Sequence, residues 1–509
     1  LNEGTILYMP TTMPGISVSA ARDLLQRQDT VLKSFPEVER VFGKAGRAET
    51  STDPAPFSMM ETVVVLKPQK EWRDGHRFYS FLPKFLQWPL RLIWPGYMTY
   101  EELIAEMDEK MKFPGTTNAW TQPIRNRIDM LSTGIRTPVG IKVMGDNLEE
   151  IEKVGIEIER LLQNAKGTRN VFAERVRGGY FLDIYFKREQ LARYGITVGQ
   201  AQDALMRGIG GEPISKTVEG RERYTINVRY APDFRMNIDS LQRFLIAAPN
   251  GAQIPLGQVA KIEMVQGPSM IRNENGLLTS YVYIDVAGRD IGGYIKDAKS
   301  LVRKDIKLPQ GVALSWSGQY EYMLRVGERL KIIVPITLLI IILLLFANTR
   351  SWPKTAIILL AVPFSAIGAI WLLFFLHYNM SIAVWVGLIA LLGVDAETGI
   401  FMLLYLDLAY EKARKGGAMR TFADLKGAIQ EGAVQRVRPK VMTVACLLMA
   451  LLPIMWSSSV NAGADVMKRI AAPMFGGILT SFAMELLVYP AIFAIWKWNF
   501  EMKKARLAT

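Results

Sequence analysis

Five long apolar runs, each near the roughly 20 residues needed to cross a bilayer, constrain this chain more than any other feature. They occupy 330–347, 355–377, 380–406, 441–456 and 470–496, the fourth being the shortest. The first 329 residues instead mix charged and apolar positions as a water-facing fold does. A soluble portion and a bundle of membrane helices therefore share one chain.

The formal charge of +13 follows the apolar runs. Arg350 and Lys354, the eight Lys and Arg residues from Lys412 to Lys440, and Lys497, Lys503, Lys504 and Arg506 alternate with connections poorer in positive charge, although Lys468 and Arg469 soften the contrast. The positive-inside rule places these three groups in the cytoplasm and residues 1–329 outside it. The excess charge is thus assigned to membrane flanks, and no nucleic-acid partner is expected. The single cysteine, Cys446, lies in an apolar run, which excludes a disulfide framework or a cysteine zinc cluster. No signal peptide opens the chain at Leu1, so an upstream segment with an anchoring helix is expected.

In the outer portion, strand-like and helix-like stretches alternate at 138–143, 148–163, 170–176 and 180–186, a β-α-β-β pattern of ferredoxin-like character. A second pattern runs from Gly4 through 18–34, 38–44, 59–66 and 100–111, and a third spans 280–287 to 312–317. Residues 196–262 read as an inserted domain. The aromatic excursion 78–98 is broken by Pro83, Pro89 and Pro95, so it is not a spanning helix. It either lies along an interface through Trp88 and Trp94 or packs on its own domain.

The third run contains Asp395 and Glu397 in Leu391-Leu-Gly-Val-Asp-Ala-Glu-Thr-Gly399. Burying such acids costs about 2.5–3.5 kcal/mol on insertion scales, so each needs a partner or a purpose. Two positions apart, they point to nearly opposite helix faces and do not form one carboxyl pair. Lys440 either snorkels to the membrane edge or pairs with a carboxylate whose protonation releases it. Glu485 reads as a packing or helix-bridging acid. With only His76 and His377 beside the membrane cysteine, the outer portion has little except methionine for a soft cation. Thioethers suit Cu(I) and Ag(I), though most methionines fill cores.

Four stretches carry a resemblance: Ile6-Leu-Tyr-Met-Pro-Thr-Thr-Met-Pro-Gly-Ile-Ser17, Val41-Phe-Gly-Lys-Ala-Gly-Arg-Ala-Glu-Thr50, Ile124-Arg-Asn-Arg-Ile-Asp-Met-Leu-Ser-Thr-Gly-Ile135 and Arg436-Val-Arg-Pro-Lys440. Together they resemble the heavy-metal efflux branch of the RND superfamily, and within it the copper- and silver-exporting pumps. The likeness covers essentially the whole chain, as the carboxyl-terminal half of such a pump after that half's first membrane helix.

The resemblance implies two ferredoxin-like porter subdomains (1–120, and 121–190 with 269–325), an inserted docking domain (191–268) and a five-helix membrane bundle (326–509). It implies metal ligation by Met9, Met59 and Met130, with Asp53, Glu61, Arg127, Asp129 and Arg136 around them. Arg136 stands where a copper exporter carries lysine. Glu61 shares a strand face with Met59, whereas Met60 points away. The implied proton relay falls on Glu397 and Lys440, with a further aspartate in the first half; Asp395 receives no relay role. Met467 matches a methionine of the membrane path, while an expected periplasmic one is replaced near Pro213. The implied protein is not an enzyme and needs no cofactor. It is a homotrimeric Cu(I)/Ag(I)–proton antiporter of the bacterial inner membrane, joined to a periplasmic adaptor and an outer-membrane channel. A Zn, Co or Ni pump of the same family and a non-transporting membrane scaffold are the rival readings.

Overall fold

The computed structural model describes every residue except 1–2, 47–56, 76–80, 82, 84–95, 269, 418, 420, 458–462 and 503–509. Most of the 78–98 excursion, including Trp88 and Trp94, and also Asp53 lie outside the described residues. The neck of the excursion is described. Asp74 pairs antiparallel with Tyr97, and the Gly75 amide donates to the Gly96 carbonyl at 2.8 Å.

The outer portion has α+β architecture. Its first sheet has the order β3 (Val38–Ala45), β4 (Met60–Leu66), β1 (Thr5–Tyr8), β6 (Trp120–Thr121). Helices α1 (Val18–Lys33) and α2 (Tyr100–Lys110) belong to the same unit, and the core against the sheet is built from Ile6, Tyr8, Val64, Leu66, Leu103 and Met107. Alternation along β4 is strict, with Met60, Thr62, Val64 and Leu66 buried and the residues between them half-buried. Thr99 starts α2 with a capping box to Glu102, which satisfies amides that the first turn leaves open.

The second sheet contains β15 (Asn273–Glu274), β16 (Leu277–Val286), β7 (Val139–Gly145) and β17 (Ala313–Gly318), and β8 (Thr168–Ala173) pairs with β16. The stretches 138–143, 280–287 and 312–317, which the sequence separates into two patterns, therefore share one sheet. The strand expected at 180–186 departs from it. Residues Gly179–Phe186 pair with Ala260–Gly267 in a ribbon of two strands that leads into and out of the segment between them. An exposed hairpin, Glu212–Glu219 with Glu222–Val228, projects from that segment.

Among the described residues, five helices are long and apolar enough to cross a membrane: Gln319–Thr349, Trp352–Phe375, Ile382–Lys415, Phe422–Trp456 and Ala464–Met502. They are longer than the apolar runs alone suggest. The fourth begins at Phe422, not near Val441, because Thr421 and Asp424 form a capping box that starts it in the polar stretch. The second is broken at Leu360, since Pro363 has no amide to donate to the Leu359 carbonyl. Gly368 and Gly476 meet face to face, and a methyl on either would strike the other's carbonyl; this lets the second and fifth helices approach closely. At the charge-rich edge, Asp407 accepts from Lys354 at 2.6 Å and faces Lys497 at 3.7 Å, tying the second, third and fifth helices together.

Asp285 of β16 is 4% exposed, with Arg169 at 3.5 Å, and burial pushes its carboxyl up to about 7 despite that arginine. Its folded pKa lies above the unfolded value of about 3.9, so the folded state holds a proton that the unfolded chain gives up. Stability of the outer portion is expected to fall by up to about 1.4 kcal/mol per pH unit as pH rises towards 7, then level off. Thermal unfolding of the purified chain between pH 5 and 8 checks this, and Asp285→Asn should flatten the profile.

Candidate metal site and buried membrane charges

The strand pairing that builds the first sheet also sets its second face. Leu7 lies opposite Val63 across β1 and β4, and both turn away from the α1–α2 core. Met9 continues that face just beyond β1, is fully buried, and donates its amide to Ala119 at 2.9 Å. Met59 reaches the same face from the start of β4, where it bridges Thr11. The Met60 amide donates to Pro10 at 3.2 Å and the Thr12 amide to Ser58 at 2.8 Å, holding the two segments in register.

The third methionine arrives on a helix. Helix α3 (Pro123–Thr133) opens with proline, where the missing amide costs nothing, and closes on Gly134 at φ 77°, a conformation that glycine adopts without strain. The Glu3 carboxylate caps it, accepting from the amides of Ile124 and Arg125 at 2.7 Å each. Met130 projects from this helix into the cluster formed by Leu7, Met9, Ala119, Met59 and Val63. The three methionines, from three separate segments, thus meet in one apolar patch. Asn126, 4% exposed, stands between two of them, with its Nδ2 3.1 Å from the Met9 sulfur and 3.1 Å from the Met130 sulfur.

The surrounding residues divide. Glu61 lies on the Met59 side of β4 and pairs with Lys44 at 3.0 Å, while Met60 is buried on the opposite side. Asp129 is 7% exposed; burial holds its carboxyl above the usual range, with Arg125 at 3.9 Å opposing the shift. Arg136 is buried, donates to the Thr11 hydroxyl and lies 4.2 Å from the centre of the Tyr283 ring. Arg127 is exposed on the outer side of α3. A cavity of about 70 Å³ beside Met59 is also lined by Arg136, Glu174, Met270 and Arg272. Among the described residues, no group of three or more His, Cys, Asp or Glu side chains could hold a metal ion.

In the membrane, Lys440 is 2% exposed and forms an ion pair with Glu485, which is fully buried. Glu485 also accepts from Thr398 at 2.8 Å and Ser481 at 3.2 Å, so it joins the third, fourth and fifth helices. Asp395, 1% exposed, lies within electrostatic reach of Lys440 and beside Ser365 and Ser481. Glu397 is not brought to Lys440. It is exposed on a stripe of the third helix with Val386, Phe401, Leu404 and Leu408. The spacing of two residues that separates Asp395 from Glu397 is what sends one inward and the other outward. Met467 is half-exposed in the first turn of the fifth helix, apart from the other methionines singled out. Sequence reasoning passed over Asn126; its position four residues before Met130, on the same helix face, was the available signal.

Residues 1–82 and 95–497 match the AcrB/AcrD/AcrF family model. The chain belongs to that family. The internal gap in that match falls inside the 78–98 excursion. The chain is 43% identical over 499 residues to the putative cation efflux system protein SilA of Salmonella typhimurium, covering 97% of this chain and 45% of that protein. It is 41% identical over 507 residues to the cation efflux system protein CusA of Escherichia coli K12, covering 99% and 46%. The cobalt-zinc-cadmium resistance protein CzcA of Cupriavidus metallidurans is 32% identical over 502 residues, covering 97% and 44%. A crystal structure of a heavy metal efflux pump superposes with a TM-score of 0.82 at 27% identity, covering 98% of this chain and 48% of that one. The chain spans about half the length of these relatives.

Lys440 balances two buried carboxylates, so its loss should cost more than the loss of either acid. At pH 8, Lys440→Met is expected to destabilise the detergent-solubilised chain by about 3–5 kcal/mol. Glu485→Gln, which leaves Asp395 to face the lysine, is expected to cost about 1–2 kcal/mol. Denaturant unfolding of both variants checks the order; equal or reversed costs would disprove it.

Proposed function

We propose that this chain forms the carboxyl-terminal half of a proton-driven exporter of Cu(I) or Ag(I) in the inner membrane of a two-membrane bacterium. The observation that carries the reading is the meeting of Met9, Met59 and Met130 in one apolar cluster. Thioethers are soft, uncharged donors, which suits a soft monovalent ion and not a divalent one. A Zn, Co or Ni pump would ask for several imidazole, carboxylate or thiolate ligands, and no group of three or more such side chains that could hold a metal ion occurs among the described residues. The metal is cargo, and no cofactor or covalent chemistry enters.

In this reading, residues 1–120, 121–190 and 269–325 are porter subdomains of ferredoxin-like type, and 191–268 is a docking domain. The complete pump is a homotrimer with a periplasmic adaptor and an outer-membrane channel. Glu397 and Lys440 couple proton flow to the outer cleft, with Asp53, Glu61, Arg127, Asp129 and Arg136 tuning the field around the ion and Met467 on the membrane route. A carboxylate on an exposed apolar stripe of a membrane helix is costly against lipid, so Glu397 is assigned to a contact with helices of the pump's other half. A second relay reading is favoured by the ion pair itself: Lys440 is held by Glu485 with Asp395 nearby, and protonation within that cluster would release the lysine and shift the fourth helix.

Two measurements test these assignments. Met59→Ile keeps the bulk and removes the sulfur, and it should weaken Ag(I) binding by the purified chain at least tenfold; unchanged affinity counts against the site. In vesicles carrying the full-length pump, Glu397→Gln should abolish silver movement driven by a proton gradient. If that variant transports normally while Glu485→Gln or Asp395→Asn does not, the relay belongs to the inner cluster.

A further inference from the structure

Asn126 carries two features that its helix does not explain. Its amide nitrogen sits against the sulfurs of both Met9 and Met130, and its Oδ1 is buried with no hydrogen-bond partner among the described residues. Thioether sulfur is a weak acceptor, and the lone pairs turned towards the amide are the ones that would coordinate a soft cation. An unpaired buried amide oxygen is costly, and no described residue offsets that cost.

Rotation of the amide about its last side-chain bond exchanges nitrogen and oxygen within almost the same volume. With a cation between the sulfurs, the positive end of the N–H dipoles is repelled, and the carbonyl end is attracted. We propose that Asn126 is a fourth ligand of the soft-cation site. Its NH2 group holds the Met9 and Met130 sulfurs in position before the ion arrives, and the turned amide presents Oδ1 to the ion.

The resulting set of three thioethers and one amide carbonyl bears no charge. It leaves a monovalent ion's charge uncompensated, which favours release over trapping, and it serves a divalent ion poorly. This assignment rests on the methionine site proposed above.

The test uses the purified chain with Ag(I) alone as probe. X-ray absorption of the silver-loaded chain is expected to show an oxygen or nitrogen neighbour besides sulfur. Asn126→Leu should remove that neighbour and weaken Ag(I) affinity at least tenfold, whereas Asn126→Asp, which keeps an oxygen donor, should bind within about threefold of the parent or tighter. A shell of sulfur alone in the unsubstituted chain overturns the proposal, and this measurement decides it even where a variant does not fold. Affinity within twofold for a folded Asn126→Leu also overturns it. Met9→Ile separates the two claims: unchanged affinity there removes the methionine site itself, whereas a loss there with no effect at Asn126 removes only the fourth ligand.

Discussion

The antiparallel pairing of β1 with β4 is the constraint on which the outer portion depends. Once Leu7 is opposite Val63 and Ile6 opposite Val64, side-chain alternation leaves no choice about which residues enter the α1–α2 core and which face α3. A slip of β1 by one residue would turn Met9 towards the core and Tyr8 away from it, parting Met9 from Met59. The interlocked amides at Thr12 and Met60 oppose that slip, because each would lose its carbonyl partner. The methionine patch is thus the second face of a sheet whose first face supplies the stability.

The membrane portion answers to a different constraint. Charges there must find partners inside the protein, since lipid offers none. Glu485 finds Lys440, Thr398 and Ser481, and in doing so links three helices. Removing Lys440 leaves buried carboxylates uncompensated, so the cluster is both a brace and a place where a change of charge alters packing. Glu397, two residues from the inward-facing Asp395, lies instead on an exposed, mostly apolar stripe. The two acids occupy different electrical environments although they are near neighbours in the chain.

Much of this was legible beforehand because it follows from short-range rules. Apolar runs of sufficient length mark membrane helices, and the period of two in β4 predicts that Glu61 and Met59 share a face while Met60 turns away. The boundaries were less legible. The fourth membrane helix starts at Phe422 because of a capping box in a polar stretch that hydropathy passes over. The strand at 179–186 has ordinary strand composition, and nothing local tells it to pair with 260–267 instead of joining the larger sheet.

By itself the sequence determined which residues are soft donors, which acids lie in apolar helices, and the faces on which neighbouring residues point, because these depend on side-chain chemistry and backbone period alone. Only the tertiary structure decided that three methionines distant in the chain share one patch, with Asn126 between Met9 and Met130, and that Lys440 pairs with Glu485 and not with Glu397. Contacts between distant segments depend on strand register and helix rotation, which are set collectively by the packing of whole elements and leave no mark at any single position.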